Sequence, residues 1–70
     1  MEMLPLESSM IRAVGYDIFR QILQIQFQSA EVFAYMDVPE KIYEELMEAP
    51  SAGRYFQDCI RDRYHYIRIK

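Results

Sequence analysis

Hydrophobic and polar positions change period along the chain, and each period predicts a different kind of element. From Gln21 to Gln28 the residues alternate, with Leu23, Ile25 and Phe27 on one side and Gln24, Gln26 and Gln28 on the other. That is the pattern of a strand with one face in a core and one in water. Met10 to Tyr16 reads as a strand before it, closed by Gly15-Tyr16-Asp17, where Gly and Asp supply turn chemistry. After a short Ser29-Ala30 turn the alternation continues from Val32 to Met36, so the first half predicts a β-meander of three strands. A two-residue turn at Ser29-Ala30 sets Gln26 opposite Phe33 and Gln24 opposite Tyr35, and a four-residue loop from Gln28 to Glu31 gives the same faces. On that register Leu23, Ile25, Phe27, Val32, Ala34 and Met36 form one apolar face, while Phe33 and Tyr35 stand among glutamines on the other.

The second half follows a helical period. Asp37 is positioned as an N-cap with Glu40 completing a capping box, and Pro39 is tolerated in the first turn. Ile42, Tyr43, Leu46 and Met47 then fall on one helical stripe that Pro50 stops. Ser51 is the next N-cap, and a helix from about Ala52 to about Arg61 carries Tyr55, Phe56, Cys59 and Ile60 on its apolar stripe. Alternation returns from Tyr64 to Lys70, with Ile67 and Ile69 on one face, which reads as a terminal edge strand. The expected architecture is α+β: a three-stranded antiparallel β-meander followed by two short helices and a short C-terminal strand. Residues 8–70 form one domain behind an N-terminal tail, residues 1–7.

A chain of 70 residues supports one core, and at this size only about 60% of the unfolded surface is buried. Hydrophobic residues make up 51% of it and charged residues 27%, which separates it from the apolar-poor composition of disordered chains. Cys59 has no second cysteine to pair with or to share a metal with, which suits a reducing cytoplasm. Glu2 and Glu7 lie where a signal peptide needs basic residues, and no long uncharged apolar run is present, so neither secretion nor a membrane span is expected.

The net charge of −3 runs against nucleic-acid binding taken over the whole chain. Its distribution changes that picture, because Arg54, Arg61, Arg63, Arg68 and Lys70 outnumber Asp58 and Asp62 from residue 54 onward, a local balance of +3 that leaves −6 on the rest. Such asymmetry points to a polyanionic partner at that end, or simply to two differently solvated surfaces.

No catalytic constellation stands out. Cys59 lies on an apolar stripe, where a thiol is inert, and His65 has only Asp58 and Asp62 nearby in sequence, a poor set for a transition metal. Glu40, Glu44, Glu45 and Glu48 crowd one helix, as a solvated face does, whereas an acid/base pair needs carboxyls in different environments. The expectation is therefore a non-enzyme with no cofactor and no metal.

Three features suggest binding. Phe33 and Tyr35 among glutamines make a sheet surface of the kind that stacks and reads single-stranded bases, unless the rest of the chain covers them as a second small core. Ser51, Gly53 and Arg54 offer free backbone N–H groups, close approach and a cation for a phosphate, or else a plain Ser cap with a closely packed Gly. Arg61, Arg63, Tyr64, Tyr66, Arg68 and Lys70 interleave cations with aromatics, suited to tracking an RNA backbone while stacking on bases, or to guarding an edge strand against aggregation.

The order of these segments resembles the KTSC domain family, a module found at the C-terminus of some lysyl-tRNA synthetases. The resemblance rests on Ser8-Ser9, Gly15-Tyr16, Val38-Pro39-Glu40, Tyr43-Glu44-Glu45-Leu46, Ala49-Pro50-Ser51, Gly53, Tyr55-Phe56 and Ile60-Arg61, and spans roughly Ser8 to Ile69. It lies in many weak signals in order rather than one sharp motif. One departure is the central pair, usually Tyr-x-Tyr in the family and here Phe33-Ala34-Tyr35, so any role needing the first phenol is lost while stacking survives. The synthetase context implies association with RNA, either tRNA or single-stranded. The alternative is a protein-interaction or homo-oligomerisation module, since a thin core and open strand edges favour docking onto another chain.

Overall fold

The computed structural model describes residues 2–70. Five strands, β1 (Leu4–Pro5), β2 (Ile11–Asp17), β3 (Ile22–Phe27), β4 (Val32–Tyr35) and β5 (Tyr66–Arg68), form one sheet. All neighbours are antiparallel and the spatial order follows the chain order. Helices α1 (Glu40–Glu48) and α2 (Ala52–Cys59) lie between β4 and β5 in sequence. The α+β meander expected from the pattern is present, with the expected C-terminal strand at one edge and β1 added at the other. Of the expected tail, Met1 lies outside the described residues, and Leu4–Pro5 pairs with Ala13 and Val14 as β1.

The register between β3 and β4 corrects the expected faces. Leu23 lies opposite Tyr35 and Ile25 opposite Phe33, while Gln24 faces Ala34 and Gln26 faces Val32. The connection has three residues, Gln28 to Ala30: the Phe27 N–H donates to the Glu31 carbonyl at 2.9 Å, the Ala30 N–H donates to the Phe27 carbonyl at 2.9 Å, and Ala30 has φ 76°. A turn closed by a left-handed residue is the usual three-residue hairpin. Because side chains alternate with period two, an odd loop moves every β4 side chain to the opposite face from an even one. Phe33 and Tyr35 therefore join Leu23, Ile25 and Phe27, and Val32 and Ala34 turn to the glutamine face.

Both helices pack on the aromatic face. The core is Ile11, Val14, Leu23, Ile25, Tyr35, Val38, Leu46, Phe56 and Ile60. A bulge at Arg12 shifts the β2–β3 register between Ile11 and Ala13, so Ile11 and Val14 both face the helices. Leu46 of α1 is buried, with Ile42, Tyr43 and Met47 packed beside it, and Phe56 of α2 meets Phe27 at 5.4 Å and Tyr35 at 5.6 Å between ring centroids. The predicted stripes of both helices are thus the buried ones. Tyr55 Oη donates to Glu45 Oε1 at 2.6 Å and clasps α2 to α1.

Helix and strand ends differ in detail. Asp37 does not cap α1: Pro39 occupies the N-cap with no side-chain bond, and Asp37 has φ 55°. Val38 is fully buried and its N–H donates to the Gln21 carbonyl at 2.9 Å, and the helix starts with its N-cap two residues past Asp37. Ser51 does cap α2, its Oγ accepting from the Arg54 N–H at 3.3 Å. Gly15 to Asp17 continue β2 instead of turning, and the turn falls at Ile18 to Gln21, where Asp17 Oδ1 accepts from the N–H groups of Phe19 and Arg20. No helix among the described residues is long and apolar enough to cross a membrane.

Candidate functional site

A groove of about 600 Å³ lies between α2 and the β3–β4 hairpin, within the usual range of roughly 300–1,000 Å³ for small-ligand sites. Its floor is aromatic. Phe27, Phe33 and Tyr35 project from neighbouring strands, and Phe56 closes the floor from the helix above. Tyr66 of β5 lies opposite Tyr35, its ring stacked on Phe33 at 5.2 Å and 21° and tilted against Tyr35 at 5.2 Å. It remains 47% exposed, so the ring is held by two neighbours and still presents aromatic surface outward.

The two banks differ in whether their polar groups are free. On the hairpin bank, Gln28 Nε2 donates to the carbonyls of Ser8 and Ile11, Ser29 Oγ donates to Glu31 Oε1, and Glu31 Oε2 lies 3.5 Å from Arg68 Nη1. On the helix bank, Gln57, Arg61 and Asp62 are exposed, and their side chains make no hydrogen bond or ion pair among the described residues. The Tyr35 hydroxyl is also unpartnered there, although the residue is only 2% exposed. No buried side-chain oxygen or nitrogen among the described residues lacks a partner, so this hydroxyl opens to solvent in the groove. Burial pushes its phenol up to about 12, with the Tyr66 phenol and Asp62 adding to the rise and Arg61 opposing it. Those groups are therefore close enough to act on the hydroxyl.

Of the residues singled out in the sequence, the groove gathers Phe33, Tyr35, Arg61 and Tyr66, with Arg68 beside them through Glu31. Phe33 and Tyr35 are floor rather than an open sheet platform. Tyr64 packs against the core, and Arg63 and Lys70 are exposed outside the groove lining. Ser51, Gly53 and Arg54 line a separate notch with Glu7 and Asp58. There the Ser51 hydroxyl caps α2, Arg54 lies 3.6 Å from Asp58, and Gly53 packs 3.4 Å from Met10 Cβ, measured from where its own Cβ would stand. Gln57, Asp62, Phe27 and Phe56 complete the groove without having been marked as site residues. The available signal was Phe56-Gln57 near the end of α2 followed by Arg61-Asp62 in the turn just past it, which brings apolar and polar groups together at the C-terminal end of the helix.

The KTSC domain profile matches residues 7–64. The chain belongs to the KTSC domain family. An uncharacterized protein of Stutzerimonas stutzeri is 39% identical over 70 residues, covering 99% of both chains. A lysine–tRNA ligase of a Nostoc species is 38% identical over 63 residues, which cover 90% of this chain and 11% of the ligase. The crystal structure of a KTSC domain protein from Yersinia pestis superimposes with a TM-score of 0.96 at 33% identity, over 99% of this chain and 97% of that one. Within this KTSC domain, Phe33 stacks on Tyr66 without needing a hydroxyl, while Tyr35 supplies the hydroxyl that reaches the groove.

Proposed function

We propose that this KTSC domain is a non-catalytic accessory domain that holds single-stranded RNA at the groove. The observation that carries this reading is the meeting of the Tyr66–Phe33 stack with an unpaired Arg61 on an otherwise acidic chain. Exposed aromatic rings stack on bases of any sequence, and flanking cations hold the phosphates. Arg63, exposed two residues on from Arg61, and Arg68, held beside the groove through Glu31, add positive charge at this end, and the similarity to a segment of lysine–tRNA ligases supplies a context in which RNA is at hand. A non-catalytic role is favoured because the ionisable phenol at the floor is held near 12, far from the range useful for acid/base work at neutral pH.

The test is a fluorescence anisotropy titration against labelled single-stranded RNA and tRNA at two salt concentrations. The native chain is expected to bind less tightly as salt rises. Replacing Arg61, Arg63 and Arg68 together by Gln should weaken binding and flatten the salt slope by about 2, near 0.7 for each single-strand phosphate contact. Unchanged affinity in that variant would refute the site. No binding even at low salt would refute the RNA reading and favour a protein contact at the free edge of β5, where Ile67 and Ile69 are about half exposed.

A further inference from the structure

The free groups of the groove form a donor and acceptor set that fits one base better than the others. Asp62 offers a carboxylate that accepts only. Arg61 offers a guanidinium that donates only, in a planar fork. In the same groove the Tyr35 hydroxyl, unpartnered in a residue only 2% exposed, can both donate and accept, as can the Gln57 amide. The hairpin bank competes for none of these, because Gln28, Ser29 and Glu31 are already bonded within the chain.

Guanine carries two adjacent donors, N1–H and the N2 amine, on one edge, which a carboxylate accepts together. On the next edge it carries two adjacent acceptors, O6 and N7, which an arginine fork donates to together. Adenine would set its N1 lone pair against the Asp62 carboxylate. Cytosine and uracil each bring a single ring-edge donor and lack N7. Arg61 and Asp62 are consecutive residues lining the same groove, a spacing that suits neighbouring edges of one base rather than its opposite ends. Tyr66 supplies the ring face against which such a base lies flat.

Resting on the RNA reading above, we propose that the groove is a guanine-selective base site, with Asp62 and Arg61 reading the two edges, Tyr35 closing the floor and Tyr66 stacking. The full chain is titrated with four labelled RNA pentamers, UUXUU, in which X is G, A, C or U. The G pentamer is expected to bind about tenfold or more tightly than the others. Asp62→Asn should cut the preference for the G pentamer several-fold by removing the acceptor pair, and Asp62→Asn combined with Arg61→Gln should bring the four within about twofold of each other. Tyr35→Phe, which deletes only the hydroxyl, should lower affinity for the G pentamer several-fold with an unchanged circular dichroism spectrum. Equal binding of all four by the native chain overturns the guanine site and leaves the RNA reading standing. A G preference left undiminished by Asp62→Asn overturns the assignment of Asp62. Absence of binding to any pentamer overturns both.

Discussion

Ala30 holds a φ of 76° at the close of the β3–β4 turn, a conformation that costs a residue with a Cβ about 1 kcal/mol or more. Glycine adopts it without that clash, although it gives up more entropy on folding. Ala30→Gly should therefore stabilise the domain by roughly 0.5–1 kcal/mol, seen as a higher urea midpoint at constant slope; a lower midpoint would show that the alanine is not strained. Tyr35 gives a second expectation. Its phenol is raised from the usual 10.0 to about 12, mainly by burial, so the folded state binds that proton more tightly than the unfolded state does. The resulting stability is complete below the unfolded value near 10.0 and is lost as the pH climbs toward 12. The phenols of Tyr16 and Tyr55 are raised as well, first by burial, so part of the alkaline loss persists without Tyr35. Urea unfolding at steps from pH 9 upward should show a shallower fall in Tyr35→Phe than in the native chain, and parallel falls would contradict the assignment.

Helices were easier to read from the chain than strand faces, and the reason is geometric. A helical stripe is set by local spacing alone: Ile42, Tyr43, Leu46 and Met47 share a side whatever the rest of the chain does, and so do Tyr55, Phe56, Cys59 and Ile60. Strand faces depend on the parity of the intervening turn. Gln28-Ser29-Ala30 lacks the Gly or Asn that ordinarily announces a left-handed closing residue, so its odd length is hidden and an even turn, which the sequence favours, puts Phe33 and Tyr35 on the wet face. The Arg12 bulge was equally silent, having no glycine or proline to mark it. β1 has only two residues and draws its register from β2, so its own sequence carried little signal. The groove was half legible for the same reason. Arg61 and Tyr66 stood out by charge and aromaticity, but their meeting with Tyr35 and Phe33 depends on the β4–β5 pairing and on the hidden turn.

One ring connects the groove to the stability of the whole molecule. Phe56 is 4% exposed and touches Phe27 and Tyr35 across the layer boundary, so the floor of the groove is also part of the core. Domain stability of about 0.05–0.15 kcal/mol per residue gives roughly 4–10 kcal/mol for 70 residues. Truncating a buried Phe to Ala costs about 3–5 kcal/mol, a large share of that total. Phe56→Ala should accordingly lower the melting temperature by about 15 °C or more, whereas Phe56→Leu, which keeps most of the apolar volume, should fold and melt closer to the native chain. A drop of less than about 5 °C in Phe56→Ala would mean that the floor and the core are separable. If the large drop is found, floor residues cannot be truncated to probe binding without unfolding the domain. Function must then be dissected through the exposed Arg61 and Asp62 and through the Tyr35 hydroxyl, the groups whose removal leaves the layers packed.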